Sequence, residues 1–234
     1  MNHNGSAALR YELIRQAKAA GADAVKFQLG WRDGEGELNA FSLSEWRDVK
    51  YWTDYYEIEL FFSVLTHKAL EMAGRIGVSR YKVASRTVNT DLGLAEEVLK
   101  IGKPTLLSQG MQEDGEIPQR LRDYPNASFL WCKSEYPCFP HHLAGMPNDF
   151  KAQGFVGYSD HFLGIEACLL AIARGATVIE KHFTLDKSDS SIRDHVLSAD
   201  PREFSSMVSL GTQIFNLSNV EVSSSSGSLA ASQT

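Results

Sequence analysis

Short apolar runs alternate with amphipathic stretches along the whole chain, the rhythm of a parallel sheet covered by helices. Seven runs read as strands: AVKFQ (24–28), ELFFSV (59–64), RYKVAS (80–85), PTLLSQ (104–109), ASFLWCKS (127–134), GFVGYS (154–159) and TVIEKHF (177–183). Between them lie predicted helices. ALRYELIRQAKAAG places Leu9, Leu13 and Ala17 on one face and ends at Gly21, and DLGLAEEVLKIG and GIEACLLAIARGA end in glycine the same way. PREFSSMVSLGTQIFNL opens with Pro201 at a position suited to the first helical turn. A helix precedes the first strand, so the pattern predicts an α/β barrel of eight βα units lacking its first strand. The barrel is expected over residues 1–217, and the serine-rich, aperiodic stretch 218–234 reads as a disordered tail or linker remnant.

Composition adds exclusions. Hydrophobic residues make up 43% of the 234 positions, enough to bury a sizeable core. A net charge of −6 and a pI near 5.7 argue against a nucleic-acid or anionic-membrane surface. Cys132, Cys138 and Cys168 form no CxxC pair, which fits a reducing cytoplasm better than a disulfide framework. No stretch reads as a signal peptide or a membrane span.

The chemistry of a parallel barrel gathers where strands end. Alternation in AVKFQ turns Lys26 and Gln28 one way and Val25 and Phe27 the other, and Lys82 lies within its strand in the same manner. Ser63, Ser85, Ser108, Ser134 and Ser159 stand at or just past strand ends. Each serine alone could merely terminate a strand. Together with two inward lysines, the set makes a cradle for a phosphate and a carboxylate. In GYSDHFLGIEA and VIEKHFTLD, His161 and His182 end successive strands, a metal-ligand or acid–base arrangement. Alternation sets Ser159 with His161 and Glu180 with His182. A divalent ion such as Mn²⁺ suits two neutral nitrogens with open positions, but the residues alone do not select it. Asp194 and His195, in SSIRDHVLSADP, are expected in a loop that reaches the same rim.

The stretches NHNG, GADAVKFQ, YKVAS, GKPTLLSQGM, GYSDHFLGIEA and EKHFTLD, in this order and spacing, resemble the sialic acid synthase family, which includes N-acetylneuraminate, legionaminic and pseudaminic acid synthases. The resemblance implies a TIM (β/α)8 barrel that condenses phosphoenolpyruvate with an N-acetylated amino sugar, giving a nine-carbon 2-keto-3-deoxy acid and phosphate. It implies His161 and His182 as ligands of Mn²⁺, or of Mg²⁺. It implies phosphoenolpyruvate held by Lys26, Lys82, Ser63, Ser85, Ser108, Ser134 and Ser159, with Gln28, Tyr136 and Asp194 facing the sugar. Departures are also visible. No counterpart of the family's AEIGxNHNG strand and its acidic residue precedes Asn2, Arg86 and Thr87 follow Ser85, and Trp131 stands where a histidine is common. Relatives that exchange a C-terminal antifreeze-like domain are dimers, so a homodimer is among the expected assemblies. Two other readings compete: a Schiff-base aldolase using Lys26, Lys82 or Lys181, and a non-catalytic ligand-binding barrel.

Overall fold

The structure, a computed structural model, describes residues 1–111 and 118–220. Helix α1 (Ala7–Ala19) leads into β1 (Ala24–Leu29), followed by α2 (Leu43–Tyr55), β2 (Glu59–Val64), α3 (His67–Ile76) and β3 (Tyr81–Val83). Helices α4 (Ser85–Thr90) and α5 (Leu92–Lys100) precede β4 (Thr105–Gln109), and α6 (Gln119–Arg122) precedes β5 (Ala127–Cys132). A 3-10 turn (Pro140–Gly145), β6 (Gly157–Asp160), α7 (Glu166–Ala173), β7 (Val178–Lys181), α8 (Asp194–Leu197) and α9 (Pro201–Ser218) complete the order. The seven strands are parallel and pair strictly in sequence order, β1 to β7. The sheet curls into a partial barrel: Lys26 on one edge strand reaches Glu180 on the other at 3.1 Å.

Seven strands behind a leading helix are what the apolar pattern predicts, but several strands are shorter than their apolar runs. β3 stops at Val83 because Ala84 already caps α4, of which Ser85 is the first residue. β6 and β7 stop before the histidines, whose carbonyls leave the ladder: His161 accepts from the Cys138 amide at 2.9 Å and His182 from that of Ala199 at 2.8 Å. Asp194 and His195, expected in a loop, open the short helix α8. From 221 onward the serine-rich stretch lies outside the described residues.

Period-two alternation sorts each strand into two faces. Outward, Val25, Phe27, Leu29, Leu60, Phe62 and Val64 pack with Leu13, Ile14 and Trp46 of the covering helices in the main core. A second cluster joins Tyr158 to Ala167, Cys168 and Met207. Burying a side chain the size of Phe62 or Trp46 contributes about 2–3 kcal/mol each. The inward face has two levels. Phe61, Leu106 and Leu130 form an apolar floor, and two residues further along the same strands stand Ser63, Ser108 and Cys132. Gly157 lies at floor level, and a Cβ there would sit 1.8 Å from the Val178 carbonyl oxygen, so the close approach of β6 to β7 requires glycine. Among the described residues no helix is long and apolar enough to cross a membrane.

Candidate active site

Above the apolar floor, charge gathers that the barrel does not need for packing. Lys82, with only 2% of its side chain exposed, hydrogen-bonds Ser108 Oγ and lies 3.3 Å from both oxygens of Glu180. Glu180 also meets Lys26 Nζ at 3.1 Å and accepts from Ser159 Oγ at 3.1 Å. One carboxylate thus bridges two ammonium groups from strands β1 and β3. Burial alone would raise the Glu180 carboxyl, but the charges of Lys26 and Lys82 outweigh it and hold the group well below the usual carboxylate range. Burial lowers the Lys82 ammonium, and the nearby Lys26 charge adds to this while Glu180 opposes it. Glu180 Oε2 accepts no hydrogen bond of its own, so the bridge leaves acceptor capacity unused.

Beside this cluster the two imidazoles face each other, with ring centroids 5.4 Å apart. His161 Nδ1 lies 3.0 Å from the Lys133 carbonyl oxygen and 3.7 Å from Cys132 Sγ. A donated Nδ1–H to that carbonyl leaves Nε2 available to a ligand. Burial would lower the His161 imidazole, but Cys132 and the Lys133 carbonyl outweigh it and raise it. His182 is driven the other way, well below its ordinary value, by burial and by the neighbouring His161 and Lys26. That direction favours the neutral imidazole, the form that ligates metals. Asp194 Oδ2 stands 3.9 Å from His182 Nδ1, while Asp194 Oδ1 is buried without a hydrogen-bond partner. Imidazole nitrogens and a carboxylate are donor types that suit a divalent cation whose remaining positions are filled by oxygen from water or substrate, although Asp194 Oδ1 also lies 3.6 Å from Arg193 Nε. Among the described residues, however, no group of three or more acidic, histidine or cysteine side chains is arranged to hold a metal ion.

The expected residues converge. Lys26, Gln28, Ser63, Lys82, Ser85, Ser108, Ser134, Tyr136, Ser159, His161 and His182 all line one chamber of about 160 Å³. Tyr136 packs its ring 4.2 Å from that of His161 and carries the Arg193 guanidinium 4.2 Å from its ring centroid. Asp194 lines a larger adjoining cleft of about 500 Å³ between β1 and β7, which shares Lys26, Gln28, Glu180 and His182 with the chamber. The serines do not merely terminate strands: Ser63, Ser108 and Ser159 lie within β2, β4 and β6. Lys181, one of the Schiff-base candidates, is excluded by its place. Its side chain is fully buried on the outward face, bound to Asp160. His195 is also turned away from the chamber, held between Thr184 Oγ1 at 2.6 Å and Asn4 Oδ1 at 2.9 Å.

Glu180 is the residue that the candidate set lacks. Its signal was the same alternation that placed it beside His182, but its lysine partners lie far off in sequence, Lys82 by 98 positions. Cys132 and Arg86 likewise line the chamber without having been singled out.

A family model described as the NeuB family matches residues 36–222, most of the chain. The chain belongs to the NeuB family. This NeuB-family chain is 38% identical over 228 residues to an uncharacterised protein of Methanocaldococcus jannaschii, covering 89% of this chain and 66% of that protein. It is 30% identical to the N,N'-diacetyllegionaminic acid synthase of Campylobacter jejuni, covering 87% of this chain and 70% of that one. The chain thus spans about two thirds of the length of these relatives. Its fold is similar to the crystal structure of a sialic acid synthetase from Leptospira borgpetersenii in complex with citrate, with a TM-score of 0.82 at 28% identity, covering 94% of this chain and 82% of that one. The Campylobacter and Leptospira proteins are by name sugar-acid synthases.

Proposed function

We propose that the partial barrel represents seven units of a TIM (β/α)8 barrel, and that its chamber condenses phosphoenolpyruvate with the open-chain form of an N-acetylated amino sugar. The products are a nine-carbon 2-keto-3-deoxy sugar acid and inorganic phosphate. The observation that carries this reading is the juxtaposition of the Lys26–Glu180–Lys82 cluster, ringed by serine hydroxyls, with the His161–His182 pair. A small molecule bearing both phosphate and carboxylate is what two ammonium groups and several hydroxyl donors recognise.

In this reading Lys26 and Lys82 neutralise the phosphate and carboxylate of phosphoenolpyruvate, and Ser63, Ser85, Ser108, Ser134 and Ser159 donate hydrogen bonds that fix its orientation. The adjoining cleft takes the sugar, with Gln28, Tyr136 and Asp194 toward its reacting end. His161 and His182 would hold a divalent cation, Mn²⁺ or Mg²⁺, which supplies Lewis-acid polarisation of the acceptor carbonyl. C3 of phosphoenolpyruvate forms the new carbon–carbon bond to the aldehyde carbon, water adds at C2, and the tetrahedral adduct expels phosphate by C–O cleavage. The apolar floor of Phe61, Leu106 and Leu130 lies one level below the lysines and hydroxyls and offers the enolpyruvyl carbons an apolar surface.

The test is phosphate release from phosphoenolpyruvate with Mn²⁺ and a panel of N-acetylated hexosamines, with and without chelator. Sugar-dependent, chelator-sensitive release is expected, with no adduct trapped by borohydride. Chelator-insensitive release would overturn the metal role, a borohydride-trapped adduct on Lys26 or Lys82 would favour the aldolase reading, and no release with any sugar would favour a ligand-binding barrel.

A further inference from the structure

One residue before each of the two histidines stands a charged side chain turned to the opposite face of the sheet. Asp160 and Lys181 are direct register partners across β6 and β7, and neither side chain has any exposure. Lys181 Nζ meets Asp160 Oδ2 at 2.5 Å and donates to the Phe162 carbonyl at 2.5 Å. The Phe162 amide in turn donates to Asp160 Oδ1 at 2.9 Å. These contacts close a ring around the backbone of residues 160–162, with His161 at its middle, and tie it to the residue immediately before His182. The proposed chemistry makes no use of this pair. Removing two charges from water is costly, and an apolar pair of similar size would pack the same wall at least as stably. The arrangement instead offers rigidity at one place, the point where both chamber imidazoles leave their strands.

We propose that the Asp160–Lys181 pair is a positioning device that sets the separation and orientation of His161 and His182 from the far side of the sheet. The inference rests on the reading of these histidines as the ligand pair, and it concerns two side chains that are fully buried on the far side of the sheet. Side chains that orient metal-binding histidines from outside commonly change metal affinity by about 10–100-fold when altered.

Three variants test it: Lys181→Met, Asp160→Asn, and the neutral hydrogen-bonding double variant Asp160→Asn/Lys181→Gln, which avoids leaving a lone buried charge if either single variant fails to fold. In metal-free protein the side-chain resonances of His161 and His182 are followed by NMR; they are expected to shift and broaden in a folded variant, while amides around Ser63 and Ser108 stay in place. Mn²⁺ affinity, read by electron paramagnetic resonance, is expected to fall at least about tenfold. Phosphoenolpyruvate affinity, set by the lysines, is expected to hold within about twofold. A folded variant with unchanged imidazole resonances overturns the proposal, as does an equal loss of both ligands, which marks the pair as general support for the fold. If the unaltered protein binds no Mn²⁺, the metal reading fails, and the imidazole resonances still decide whether the pair positions the histidines.

Discussion

Strand β7 carries two charge systems on opposite faces, and they are built differently. Inward, Glu180 serves two lysines and a serine, its side chain and that of Lys26 retain 16% and 18% exposure, and one of its oxygens has no hydrogen bond. Outward, the next residue, Lys181, is sealed with Asp160, and the Phe162 backbone completes the contacts of both. On the proposed function, the open, over-subscribed arrangement exchanges its carboxylate for an incoming anion. The closed one cannot exchange anything without breaking the wall. A buried charge therefore has to be read by what satisfies it: incomplete pairing beside a cavity marks a site, complete pairing within the wall marks scaffold.

Removing Lys181 should break the comparison most violently. Lys181→Met leaves the Asp160 carboxylate buried and alone, and is expected to cost about 3–5 kcal/mol, a fall in melting temperature of roughly 10 °C measured calorimetrically. A fall no larger than that of an ordinary surface substitution would show the outward pair to be expendable.

Glu180→Gln should cost less, roughly 2 kcal/mol at neutral pH, because Glu180 and Lys26 keep some contact with water. The same change removes a negative charge from beside the anion position, so phosphoenolpyruvate should bind more tightly while turnover falls. The pH dependence has a definite sign. Glu180 is held well below its ordinary value of 4.5, so its ion pairs stabilise the fold above that pH, and the contribution drains away only as pH falls toward the lower folded value. The stability gap between the unaltered protein and Glu180→Gln, read by urea unfolding, should be constant from neutral pH to about 5 and shrink below it. A gap that widens on acidification would contradict the ionised assignment.

The smallest expected effect is at the margin of the inner cluster. Ser159→Ala deletes one hydroxyl donated to Glu180, and urea unfolding should register a loss of about 0.5–1.5 kcal/mol. A larger loss would place Ser159 at the centre of the cluster.

The two faces also differ in how far they could be read in advance. Alternation in AVKFQ was enough to turn Lys26 and Gln28 inward, because the covering helices claim the face that carries Val25 and Phe27. The seven strands and the leading helix followed from the same apolar rhythm. Strand ends did not, because β6 and β7 stop where the His161 and His182 carbonyls take partners from outside the sheet, Cys138 and Ala199. Alternation set Glu180 beside His182 but could not mark it as a site residue, because its partners Lys26 and Lys82 lie far off in sequence and only the curled sheet brings them to it. Asp194 was read as a loop residue near the histidines, and its proximity to His182 holds although it opens a helix.

The central claim is that the inward lysines form the anion site. Isothermal titration of phosphoenolpyruvate into the protein and into Lys82→Met tests it without requiring turnover or knowledge of the sugar. Measurable binding to the unaltered protein is expected, with a loss of about 10–100-fold in the variant, the cost of one charge-assisted contact in a nearly dry site. Equal affinity in the two proteins would contradict it.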